Sequence, residues 1–167
     1  MRNKTAKWVA LYGMLISLAF IFSYIEAVIP IPIPVPGVKL GLANLVLIVG
    51  LYTVGISGTI AVSLVRIVLV GFTFGNLSSM IYSLAGGIVS LILMILLKKT
   101  GKFSQIGVSI IGGIGHNIGQ LTAAALITET AGVFYYLPFL IVAGVIAGAL
   151  IGLLGGMVTD RIRNVVK

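Results

Sequence analysis

Six apolar segments divide this chain, and nine of its eleven Lys and Arg residues lie outside the apolar interior of those segments. The segments cover about residues 8–28, 39–54, 57–72, 77–97, 105–128 and 134–158. A helix of roughly 20 residues crosses a bilayer core, so four of the six are long enough without adjustment. The second and third are short, which implies little tilt or locally thin lipid; the alternative is a hairpin that crosses only in part. Composition leaves no soluble option: 59% of residues are hydrophobic, 8% are charged, and the mean hydropathy is +1.23. So few polar side chains cannot cover a soluble surface. The expected fold is an all-α integral membrane protein, one domain over residues 1–167 built as a six-transmembrane-helix bundle. The first segment is too long for a secretory core, which runs to about 7–15 residues, and has no clean cleavage site, so it is expected to be retained.

Charge orients the bundle. Arg2, Lys4 and Lys7 precede the first segment, Lys98, Lys99 and Lys102 separate the fourth and fifth, and Arg161, Arg163 and Lys167 follow the sixth. All three places fall on one side of a six-span bundle, which the positive-inside rule makes the cytoplasm; both termini are expected there. The formal net charge of +8 is explained by these flanking clusters and points to no nucleic-acid partner. The chain has no Cys, hence no disulfide, no thiolate nucleophile and no Cys-based metal site. Its only acidic residues are Glu26, Glu129 and Asp160. No aspartate pair is present to hold Mg²⁺ on a diphosphate, and no Gly-rich phosphate loop with its Lys. The chain is therefore not expected to be an enzyme or to hydrolyse ATP, and no metal or cofactor is expected.

Two cations break the pattern. Lys39 and Arg66 fall within apolar sequence, in what the topology makes the outer half. Glu26, Asn44, Ser78, Ser79 and Ser83 fall at similar depth, while His116 and Asn117 lie near mid-depth with Gln120 one turn further out. Positions 116, 117 and 120 are expected to share a helix face. Polar groups at this depth either clamp neighbouring helices or line a pocket opening outward. Arg66 suits bidentate capture of a carboxylate or phosphate, with an internal ion pair to Glu26 as the alternative. Lys39 either gates this region or snorkels to headgroups. A metal role for His116 has no second His or Cys to support it. The run Pro30 to Gly37, with its alternating prolines, cannot be helical and is either a stiff connector or an apolar lid. Glycines at 144, 148, 152 and 156, and at 115 and 119, form stripes suited to close helix packing. Tyr135 and Tyr136 are read as interface aromatics.

The stretch Pro36 to Leu45, the Arg66 segment, Ser83-Leu84-Ala85-Gly86-Gly87 and the run His116-Asn117-Ile118-Gly119-Gln120 resemble the bacterial family called heptaprenyl diphosphate synthase component I, or the Gx transporter family. The resemblance covers nearly the whole chain. That family is similar to substrate-binding S components of energy-coupling factor (ECF) transporters, six-helix proteins that capture micronutrients from outside. The resemblance implies a T component and two ATPases as partners. It also implies docking through an Ala-x-x-x-Ala motif on the first helix, here Ala6 and Ala10 extended by Gly13. It implies a gate in the loop after helix 1, here Pro34 and Pro36 with Lys39 and Glu26 at the entrance. Asn44, Arg66, His116, Asn117 and Gln120 would contact a vitamin- or cofactor-like ligand, partly anionic and partly aromatic or apolar. Prenyl diphosphate synthases use paired aspartate-rich motifs that this chain lacks. The alternatives to an S component are a non-catalytic accessory subunit of polyprenyl diphosphate or quinone synthesis and a stand-alone secondary transporter.

Overall fold

The computed structural model describes residues 2–29 and 41–166, and the regular elements in that range are all helices. They are α1 (Arg2–Val28), α2 (Asn44–Thr53), α3 (Gly55–Thr73), α4 (Leu77–Thr100), α5 (Gln105–Thr128) and α6 (Leu137–Val166), with a 3₁₀ turn at Ala131–Tyr136 before α6. All but α2 are long and apolar enough to cross a membrane. Large apolar side chains face outward along them, with Phe72 82%, Leu126 74% and Leu77 73% exposed. In water such a surface would aggregate; in lipid it is solvated. The chain is a multi-pass membrane protein.

Helix α5 packs between α4 and α6 at backbone distance, and glycine is what permits it. A Cβ on Gly119 would lie 2.7 Å from the Ala85 carbonyl oxygen of α4. On the opposite side, a Cβ on Gly148 would lie 2.6 Å from Ile110 Cα, and one on Gly152 would lie 2.6 Å from Ile106 Cα. The expected packing stripe on α6 therefore holds from Gly144 to Gly152. It stops there, because nothing lies within 4 Å of a Cβ at Gly156.

The second expected span is the largest departure. Helix α2 has 10 residues, about 15 Å of rise against a core of about 30 Å. It begins at Asn44 because Gly41 sits at φ 87°, a conformation that side chains rarely adopt, and residues 42–43 form a turn. It ends at the break before Gly55, which has φ 80°. Asn44 to Leu51 are all buried, so α2 is apolar on every side because it is enclosed by other helices rather than by lipid. Its last carbonyls are held by cations from elsewhere in the chain. Lys98 Nζ donates to the Leu51 carbonyl and lies 4.5 Å from the centre of the Tyr52 ring. Arg163 Nε and Nη2 donate to the Tyr52 carbonyl at 3.3 and 3.2 Å. Both cations meet the negative end of the helix dipole.

These contacts gather the C-terminal ends of α2, α4 and α6 at one end of the bundle. Tyr12 of α1 reaches the same end, where its hydroxyl fills the space that a Cβ on Gly58 would need. Tyr135 and Tyr136 stand in the 3₁₀ turn that leads into α6, and Tyr135 is 90% exposed. Polar side chains are also buried toward the end that holds Lys98 and Arg163: Thr59, Ser90, Ser109 and Thr159 are buried, with Gln105 donating to Thr159 at 3.2 Å.

Candidate functional site

A polar cluster forms where α1, α2, α3 and α5 meet. Leu11, Leu15, Ala19, Ser23 and Glu26 are the buried stripe of α1, spaced by three or four residues as one helix face requires. The two polar members close that stripe. Glu26 Oε1 accepts from the backbone N–H of Gly41 at 2.6 Å and of Leu42 at 2.9 Å. A carboxylate is favoured there, where backbone donors converge just before the N-terminus of α2. Ser23 Oγ accepts from Arg66 Nη1 at 3.2 Å.

Arg66 is 5% exposed and Asn44 is 4% exposed. Arg66 Nε and Nη2 have no hydrogen-bond partner among the described residues, and neither has Asn44 Oδ1 or Nδ2. The Glu26 carboxylate acts electrostatically on Arg66. Buried polar atoms almost always find partners, so four unmatched atoms on two neighbouring helices are a functional signal. Each such atom left without a partner costs about 1–3 kcal/mol.

Helix α5 closes the cluster. Gln120 Nε2 and His116 Nε2 lie 2.8 Å apart, one turn from each other along the helix. A Cβ on Gly41 would lie 2.7 Å from Asn44 Nδ2 and 3.0 Å from His116 Cδ2. One on Gly86 would lie 2.9 Å from His116 Nδ1. The two glycines thus let the α2 turn and α4 close onto the imidazole.

Among the predicted site residues, Glu26, Asn44, Arg66, His116 and Gln120 are linked through a run of contacts: Arg66 to Ser23, one turn from Glu26 on α1, Glu26 to Gly41, Gly41 against Asn44 and His116, and His116 to Gln120. Asn117 does not face them: its Nδ2 donates to the Leu140 carbonyl of α6 at 2.7 Å. One residue step turns a helix by about 100°, which carries position 117 off the face of 116 and 120. Pro34, Pro36 and Lys39 lie outside the described residues. Ala6, Ala10 and Gly13 are exposed on α1, and a Cβ on Gly13 would meet nothing within 4 Å. No group of three or more His, Cys, Asp or Glu able to hold a metal occurs among the described residues. Ser23 was not singled out by the sequence, and Gly41 and Gly86 entered only within the stretches that carry the family resemblance. Ser23 was findable, because it precedes Glu26 by three positions on the apolar stripe of α1.

Two cavities flank this region without being lined by any cluster residue. One of about 540 Å³ runs between α1, α2 and α6 and includes Phe22, Leu42, Leu45 and Phe139. The other, of about 190 Å³, lies between α3 and α4. Both are apolar, unlike the polar outward cavity expected from the sequence.

A family model described as heptaprenyl diphosphate synthase component I matches residues 15–158, which contain every residue of the polar cluster. Neither a curated protein nor a solved structure matches the chain.

Proposed function

This chain belongs to the heptaprenyl diphosphate synthase component I family, and from that premise we propose that it is a non-catalytic membrane subunit that binds a small molecule at the Arg66 cluster. The observation that carries the reading is the burial of Arg66 and Asn44 with four polar atoms unmatched. A structural clamp spends at least part of its polar group on the protein, as Asn117 does through Nδ2 while its Oδ1 stays unmatched; Asn44 spends neither amide atom, and Arg66 leaves a whole edge of its guanidinium unmatched. Neither paired carboxylates nor a nucleophile–base pair accompanies them among the described residues, so the chemistry offered is recognition rather than turnover.

In the first form of this reading the protein is the substrate-binding S component of an ECF-type importer in a bacterial plasma membrane. Asn44, Arg66, His116 and Gln120 grip an extracellular micronutrient, and Asn117 holds α6 against that group. The exposed strip Ala6, Ala10 and Gly13 meets a T component, and two ATPases supply the work. The exposure of that strip favours this form, since small residues let a partner helix approach closely. In the second form the same subunit serves polyprenyl diphosphate synthesis beside a soluble catalytic partner. The family description favours that form.

Affinity purification of the full chain from native membranes in mild detergent, with every captured protein identified, separates the two. An importer subunit brings a membrane T component and ATPases, and its deletion lowers solute uptake. A synthase subunit brings a prenyltransferase, and its deletion lowers prenyl transfer without an uptake defect. A protein that carries no small molecule and changes neither process on deletion would end both forms.

A further inference from the structure

We propose that the ligand enters as a single carboxylate, bound by the Nε–Nη2 edge of Arg66, with an amide-like donor and acceptor pair read by Asn44. This deepens the small-molecule-binding reading and rests on it. The argument begins with which edge of the guanidinium is in use. Nη1 is committed to Ser23 at 3.2 Å. Nε and Nη2, both unmatched, project their N–H bonds in parallel from one side of the group. That pair matches two oxygens on one planar carbon, the geometry of a fork on a carboxylate. Asn44 offers one acceptor and one donor, both unmatched. A group that satisfies both at once carries a donor beside an acceptor, as an amide, a lactam or a heterocyclic edge does.

Charge decides between a carboxylate and a polyanion. Among the described residues, Glu26 and Arg66 are the buried charged side chains. Glu26 Oε1 accepts from the Gly41 and Leu42 N–H groups, but those bonds leave its negative charge in place beside Arg66. The site then offers one bidentate fork and, among the described residues, no second buried Lys or Arg to offset a second negative charge. A diphosphate would bring two or three charges against that fork with the Glu26 carboxylate beside it, and like charges in a poorly solvated site repel strongly. The cluster therefore selects a monoanion and disfavours a prenyl diphosphate head.

The test uses the full chain in lipid nanodiscs with ¹⁵N-labelled arginine. The Arg66 Nε–H signal is assigned by its loss in Arg66→Lys, which keeps the charge but removes the fork. Three probes are titrated: N-acetylphenylalanine, its C-terminal carboxamide, and geranyl diphosphate. N-acetylphenylalanine is expected to shift the Arg66 signal saturably, with the other two at least about tenfold weaker. Asn44→Leu is expected to weaken the carboxylate by about tenfold. Glu26→Gln, whose amide oxygen can still accept from Gly41 and Leu42, is expected to improve geranyl diphosphate relative to wild type. Geranyl diphosphate or the carboxamide binding as well as the carboxylate would overturn the proposal.

Native mass spectrometry of the gently purified chain decides the case in which no probe binds. A retained molecule that bears a carboxylate and is lost in Arg66→Lys supports the assignment. One retained by Arg66→Lys, or lacking a carboxylate, overturns the ligand class and leaves the binding reading standing. No probe shift and no retained molecule would overturn both.

Discussion

Gly41 shows how much one residue can hold in place. Its φ of 87° makes the turn into α2, its N–H meets Glu26, and its missing Cβ leaves room for Asn44 and His116. Gly41→Ala adds a methyl where 2.7 Å separates it from Asn44 Nδ2 and forces a side chain into a left-handed conformation. A loss of about 1–3 kcal/mol is expected, read as a lower midpoint in thermal unfolding in detergent, together with weaker retention of any bound small molecule. Asn117→Leu is expected to behave differently. It removes the bond to the Leu140 carbonyl and costs about 1 kcal/mol, while small-molecule retention stays at wild-type level. A parallel loss of retention would place Asn117 in the ligand's grip after all. From the sequence, positions 116, 117 and 120 looked equivalent, because residue type and spacing allow a wide polar face. Only the angular position of α6 distinguishes Asn117 from its neighbours.

Among the elements, α5 and α2 carry opposite lessons about legibility. The glycine stripes of α5 and α6 could be read in the sequence, since spacing by four puts small residues on one ridge whatever the neighbours are. Where the stripe stops being used could not, because that depends on where α5 begins. Gly148→Val should separate the two helices and lower thermal stability by about 1–3 kcal/mol. Gly156→Ala should leave stability unchanged or raise it by up to about 1 kcal/mol through helix propensity. Equal effects at the two positions would refute the contact pattern. Helix α2 was overestimated in length because Gly41, Leu42 and Ala43 are as apolar as the helix they precede, and hydropathy is blind to a turn made by φ. Lys98 was read as a topology marker, yet it also holds the last turn of α2. Lys98→Met is expected to cost about 1 kcal/mol and to speed hydrogen exchange at Val54, whose N–H bonds to the Gly50 carbonyl.

For the whole molecule, hydropathy was the part of the sequence that spoke plainly, because a bilayer constrains every residue it touches in the same way; the orientation expected from cation placement is what labelling tests. The chain has no cysteine, so single substitutions give clean labelling sites. Lys102→Cys should react with a membrane-impermeant maleimide only in inverted vesicles, and Glu129→Cys only in intact cells. Both labelled from one side would overturn the alternating arrangement. What the sequence could not supply was the pairing across helices, such as Ser23 with Arg66 or Glu26 with Gly41, since those contacts depend on crossing angles set by distant glycines.

Because α2 is sheathed on all sides by its own chain, it cannot be handed to lipid as a finished segment during synthesis. Its ten residues emerge from the ribosome before α4, α5 and α6 exist, and the cations that hold its last turn, Lys98 and Arg163, belong to α4 and α6. Insertion must therefore leave the first three helices provisional, with the short one seated only when the C-terminal half arrives. A chain truncated after α3 should be a substrate for membrane proteases, and co-expressing the missing half as a separate polypeptide should protect it.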